Sequence, residues 1–170
     1  LVTFCKDLTV DYEALCQQKN IIFHFLPSRT IIRVEFDPEK MEILLSNLIS
    51  NAFKYTPEGG KIVLSIDETD EKVTLVVEDN GIGIQKEFQE VIFDRFFQIE
   101  NTEIFSTGDG IGLSFVKHLV ELHDGTIRVE SELNKGAKFI VELPKKERVD
   151  EPVSSEEEII IVPKSVKENM

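Results

Sequence analysis

Three short stretches of the chain carry residue types that could do chemistry. In "NLISNAFKYTP" (47–57), Asn47, Asn51 and the pair Lys54/Tyr55 recur about one helical turn apart. On a helix they share one face, while Met41, Leu44, Leu45, Leu48 and Ala52 supply a wider apolar face. Amides in line on a core-packed helix are costly if buried unpaired. They are therefore either a solvated polar stripe or a row that holds a ligand. In "VEDNGIGI" (77–84) an apolar run ends in Asp79. A carboxylate at the C-terminal end of a strand lies where α/β crevices open, and it can accept a hydrogen bond from an exocyclic amine. Gly81 and Gly83 would let a planar ring approach the backbone. Asn80-Gly81 is equally a plain turn pair. In "STGDGIGLS" (106–114), Gly108, Gly110 and Gly112 precede a helical pattern, and the N–H groups at such a terminus suit phosphate. A flexible linker is the other reading. The spacing is not G-x-G-x-x-G, no strand immediately precedes it, and it lacks the G-K-[ST] ending, so Rossmann and Walker readings fail.

These stretches need elements to hold them. Apolar spacing predicts a helix over 6–19 and strands over 20–27 and 30–36. Asp37 with Pro38 starts a strong helix that stops near Pro57 and Gly59-Gly60. Strands are expected over 61–69 and 72–79, a short helix over 85–93, and a helix over 111–124 closed by Gly125 as its cap. A final strand pair occupies 126–133 and 137–144. Residues 94–110 show no period, a length typical of a lid or binding loop. The sum is an α+β fold, a two-layer sandwich of a mixed five- to six-stranded sheet with three main helices on one face. After Pro144 the composition changes. Residues 150–158 hold five acids and no base, so 145–170 reads as an acidic linker or tail after a domain spanning 1–144. The run "IIIV" (159–162) either adds to a sheet edge or opens a further domain.

Composition narrows the function classes. Apolar residues make up 41% of the 170, mean hydropathy is −0.10, and net charge is −13. A basic face for nucleic acid is not expected. No apolar run approaches the ~20 residues of a membrane span. Cys5 and Cys16, with no secretory signal, read as reduced thiols in a cytoplasmic chain. An anchor of a parent protein in the inner membrane would lie outside this stretch.

Taken together and in this order, the motifs resemble the sensor histidine kinase catalytic domain, in the superfamily that also holds gyrase, the large heat-shock chaperones and mismatch-repair ATPases. "NLISNAFKYTP" looks like its N box, "VEDNGIGI" its first glycine box, "IFDRFFQ" its phenylalanine box and "STGDGIGLS" its second glycine box. "HDGTIRVESELNKGAKFIVELP" is similar to its closing hairpin. The resemblance covers residues 1 to about 144 and implies a Bergerat-type fold binding ATP with Mg²⁺. Asn51 would coordinate the ion. Asn47 and Lys54 would lie near the phosphates, making Asn47, Asn51 and Lys54 the catalytic group, with Tyr55 near base and ribose. Asp79 would take the adenine amino group, with Gly81, Gly83 and Ile84 beside the ring. Residues 93–110 would form a lid mobile without nucleotide, with Arg95 on a phosphate. Gly108, Gly110, Gly112 and Leu113 would close over the phosphates.

Ala137 follows Gly136 where the family usually has Ser or Thr, which weakens a polar role at 137. Asp109 puts a negative charge in the phosphate loop. His24, His118 and His123 lack an H-E-x-x-x-P-like acceptor context. The implied partners are a helical dimerisation and phosphoacceptor domain, present as a homodimer in the full-length protein, and a downstream receiver domain or response regulator. Phe93, Phe96, Phe97 and Phe105 would dock on that helical domain or pack on their own core. The alternatives are a switch ATPase of the gyrase type or a serine kinase of the anti-sigma type. The first needs a general base on the N-box helix, where this chain has Asn47.

Overall fold

The computed structural model describes residues 1–95, 97 and 112–145. Two short helices, α1 (Val2–Val10) and α2 (Glu13–Lys19), lead into strand β1 (Ile22–Pro27) and the long helix α3 (Pro38–Tyr55). Strands β2 (Lys61–Glu68) and β3 (Lys72–Asp79) follow, then α4 (Gly112–Leu122), β4 (Thr126–Glu132) and β5 (Gly136–Pro144). The sheet order is β1-β2-β3-β5-β4. The β1–β2 pair is parallel and the other pairs are antiparallel. A parallel pair cannot be joined by a tight turn. The chain between β1 and β2 runs through α3, and this crossover lays the amide-bearing helix across the sheet.

Alternation decides which strand face is buried. Ile62, Leu64 and Ile66 of β2, Val73, Leu75 and Val77 of β3, and Val141 and Leu143 of β5 point to the helix layer. They meet Met41, Leu44, Leu45, Leu48, Ile49, Ala52 and Phe53 of α3, and Val116, Leu119 and Val120 of α4. Helix α3 starts where Asp37 accepts the Lys40 N–H, with Pro38 inside the first turn. Among the described residues the sheet has five strands, within the expected range.

Four expectations are corrected. The helix expected over 6–19 is two helices broken at Asp11–Tyr12, and the break lets the Tyr12 ring stack on Phe53 at 5.5 Å. Residues 30–36 form no strand. Alternate side chains turn inward instead: Ile32 is buried and its carbonyl accepts from the Leu1 nitrogen, Val34 and Phe36 pack against the core, Phe36 meets Phe4 of α1 edge-on at 5.2 Å, and Ile31 is exposed. The helix expected over 85–93 is one 3₁₀ turn (Lys86–Phe88) followed by turns. The cap of α4 is also different. Asp124 adopts the left-handed conformation at φ 56°, and the Gly125 N–H bonds to the Val120 carbonyl. Gly125 is required for another reason, since a Cβ there would lie 2.6 Å from the Glu142 carbonyl.

Candidate functional site

The second half of α3, the end of β3 and the start of α4 converge at one end of the sheet. Asn47 is half-buried and donates through Nδ2 to the Ile43 carbonyl at 2.7 Å. Its Oδ1 faces α4: a Cβ on Gly112 would sit 3.0 Å from it. Asn51, one turn on, is also half-buried. The Lys54 amino group stands over the Tyr55 ring, 5.2 Å from its centroid. The polar row is thus neither core nor open surface, and it borders the helix start where Leu113 packs against the core.

Asp79 is buried at the end of β3. Its carboxylate accepts from the Gly81 N–H at 2.8 Å and from the Ala137 N–H. Burial pushes its pKa above the ordinary carboxylate value; the two N–H groups pull it back, and Glu78 adds a smaller upward push. The plain-hairpin reading of Asn80-Gly81 fails. Asn80 pairs back to the start of β2, donating its N–H to the Lys61 carbonyl at 3.2 Å and accepting the Lys61 N–H on Oδ1 at 2.7 Å. The turn also touches α3, because the Ile82 N–H donates to the Tyr55 carbonyl at 3.3 Å.

Both glycines of this turn are demanded by the chain itself. A Cβ on Gly81 would lie 2.3 Å from the Tyr55 carbonyl oxygen, and one on Gly83, at φ 68°, 2.0 Å from the Glu132 carbonyl oxygen. Gly83→Ala therefore destabilises the fold in the absence of any ligand. The left-handed backbone alone costs about 1–2 kcal/mol for alanine, and urea unfolding without nucleotide reads the loss. An unchanged midpoint would show that the backbone contact is dispensable.

Ile84 donates its N–H to Ser131 Oγ at 2.8 Å, and Ser131 donates in turn to the Gly136 carbonyl at 2.6 Å. Gln89 bridges the Ile84 and Ser131 carbonyls at 3.0 and 2.8 Å. Nothing in the sequence marks Ser131 or Gln89. At 137 the expected weak side-chain role agrees with an alanine, and its backbone N–H is what approaches the Asp79 carboxylate.

Arg95 is exposed at the end of the turns that follow the 3₁₀ helix. Phe93 packs edge-on against Phe139 at 6.3 Å, and Phe97 lies 5.7 Å from Phe88. These two rings serve the core. Gly108 and Gly110, Phe96 and Phe105, most of the expected lid and the tail beyond Lys145 lie outside the described residues. His24 and His118 are exposed on β1 and α4. His123 is committed at both nitrogens: Nδ1 meets the Leu119 carbonyl at 2.7 Å, and Nε2 accepts the Asp37 N–H at 3.1 Å. Those partners assign the neutral tautomer with its proton on Nδ1. Among the described residues no group of three His, Cys, Asp or Glu could hold a metal ion.

An asparagine-faced helix, a buried carboxylate with a glycine turn, and a helix opening on glycine are gathered at one end of a mixed sheet. A family model described as histidine kinase-, DNA gyrase B- and HSP90-like ATPase matches residues 36–147, and the chain belongs to that family. Within it, the similarity is to histidine kinases. Histidine kinase P4 of Formosa agariphila is 38% identical over 148 residues, covering 85% of this chain and 11% of that protein. Sensor histidine kinase WalK of Bacillus subtilis is 37% identical over 148 residues, covering 85% and 24%. The chain thus spans a small part of the relatives it matches. The catalytic domain of histidine kinase ThkA superposes with a TM-score of 0.75 at 33% identity, covering 84% of this chain and 92% of that one. ThkA in complex with response regulator protein TrrA gives 0.73 at 31%, covering 86% and 40%. Full-length ShkA in complex with AMPPNP gives 0.74 at 26%, covering 85% and 30%. The chain is a histidine kinase catalytic domain.

Proposed function

We propose that this domain binds Mg-ATP and donates its γ-phosphoryl group to a histidine on a helical dimerisation domain, in two-component signalling. The observation that carries the reading is the buried carboxylate of Asp79, held by the Gly81 and Ala137 N–H groups at the edge of the convergent polar row. It is a fixed acceptor suited to an adenine amino group. Gly81, Gly83 and Ile84 shape the turn beside the base, and Tyr55 stands at its other side. Asn47 and Lys54 with the start of α4 at Gly112 and Leu113 face the phosphates, joined there by Arg95, Gly108 and Gly110. The complex of ShkA with AMPPNP supports the ligand, and the complex of ThkA with its response regulator supports the signalling partner. In the full-length protein the domain works as a cytoplasmic part of a homodimer, with residues 1–144 as the catalytic unit and 145–170 as an acidic linker toward a receiver domain or response regulator.

Mg²⁺ fits the donor set. Asn51 offers one hard amide oxygen, and this ion takes few protein ligands, filling its shell with phosphate oxygens and water. When bound, the ion neutralises phosphate charge; the side chains named above orient the nucleotide. Asn51→Ala keeps the fold and loses the Mg²⁺ enhancement of ATP affinity. Calorimetric titration with Mg²⁺ and with chelator gives the comparison, and a full enhancement in the variant would place the ion elsewhere. The switch-ATPase alternative lacks its base. Asn47 is an amide, and Glu42 is exposed on another face of α3.

A further inference from the structure

We propose that Ser131 and Gln89 are positioning residues for nucleotide binding, fixing the turn after Asp79 by tying it to the β4–β5 hairpin. The inference rests on the ATP-binding reading above and adds two residues to it. Ser131 uses both functions of one hydroxyl. It accepts the Ile84 N–H at 2.8 Å and donates to the Gly136 carbonyl at 2.6 Å. Gly136 precedes Ala137, whose N–H holds the Asp79 carboxylate. The hydroxyl therefore connects the loop on one side of Asp79 with the hairpin on the other. The Gln89 amide donates to the Ile84 carbonyl at 3.0 Å and to the Ser131 carbonyl at 2.8 Å. Ile84 thus has its N–H on one of these residues and its carbonyl on the other. The Asn134 N–H closes the same face by bonding to the Ile82 carbonyl at 2.7 Å.

Neither side chain bonds to Asp79, so their effect runs through the backbone. Both residues are half-buried and line a cleft of about 440 Å³, together with Ile84, Lys86, Glu87 and Leu133. The cleft is open, so water can take over a bond once its protein partner is removed. The turn then populates shapes in which Asp79 and its glycines no longer match a base. Apparent affinity falls by the fraction of chains that keep the binding shape.

The test is ADP titration of the whole chain, combined with hydrogen exchange at the Ile84 amide without nucleotide. In Ser131→Ala, Ile84 protection is lost and the ADP Kd rises about 5- to 30-fold, the range set by one or two lost hydrogen bonds. Ser131→Thr, which keeps the hydroxyl, restores both readings. Gln89→Leu moves both in the same direction as Ser131→Ala. Leu133→Ser, in the same cleft without a bond to the turn, leaves both unchanged. Wild-type ADP affinity in Ser131→Ala and Gln89→Leu overturns the proposal, as does a loss that Ser131→Thr fails to restore. Should Ser131→Ala not fold, Gln89→Leu decides on the same criteria. Failure of the unmodified chain to bind ADP overturns the ATP-binding reading itself, and this proposal with it.

Discussion

In a calorimetric titration, Asp79→Asn binds ADP about 10- to 150-fold more weakly than the unmodified chain, the equivalent of about 1.5–3 kcal/mol for a hydrogen bond to a charged group. The carboxylate can only accept, which matches an amino group. An amide can turn its own donor toward that amino group. Acidification acts the same way, because a protonated Asp79 no longer offers a charged acceptor. Burial raises the Asp79 pKa, so affinity is lost at a higher pH than an ordinary carboxylate near ~3.9 would dictate. For the fold the sign is reversed. A folded-state pKa above the unfolded value means that the native state takes up this proton more readily. The contribution of Asp79 to stability is thus present at low pH and declines as pH rises from the unfolded value through the raised one. Acid should weaken nucleotide binding while this residue itself favours the native state. Wild-type ADP affinity in a folded Asp79→Asn would remove Asp79 from the site.

Given γ-labelled ATP, the chain alone incorporates no phosphate, and addition of the dimerisation helices, in cis or as a separate chain, produces labelled phosphohistidine. Phosphoryl transfer depends on positioning and charge stabilisation, and a missing nucleophile cannot be replaced by tight binding. His123 has both ring nitrogens engaged. His24 and His118 are exposed on a strand and a helix. The label should be acid-labile and base-stable. Rapid ATP turnover without the helices would favour a switch ATPase, and acid-stable label on a partner serine would favour a serine kinase. Label on any of the three histidines would show that their surroundings do not prevent transfer, and would overturn the prediction.

The helix that carries Asn47 and Asn51 was legible because several local signals agree on it. Asp37 caps it, Pro38 fits its first turn, and its apolar residues recur with the helical period, as the observed Pro38–Tyr55 bears out. Strands β2 and β3 were legible from alternation between charged edges. Residues 30–36 differ from the expected strand because alternation says which side chains are buried and not what buries them; Ile32, Val34 and Phe36 turn to the core without a neighbouring strand to pair with. Gly81 and Gly83 were legible as special positions. The sequence suggests that the missing side chains let a ligand ring approach; the structure adds that a Cβ at either position would meet the Tyr55 or Glu132 carbonyl. Ser131 and Gln89 could not be read at all. Each is an ordinary polar residue in its own segment, and their bond joins segments 42 positions apart.

That separation bears on how the site forms during folding. The Gly81 N–H reaches Asp79 from two residues away, but the bond from Ile84 to Ser131 spans 47. Ala137 arrives only with the last strand, inserted between β3 and β4. A chain with β2, β3 and α3 in place but β5 undocked would have the Asp79 turn without its second support. On the proposed ATP-binding reading, nucleotide would favour chains that have completed the long-range pairing and so would act as a probe of the finished sheet. Ligand at 100 times its Kd adds about 2.7 kcal/mol to the stability of that state, and none to a chain whose C-terminal hairpin has yet to dock.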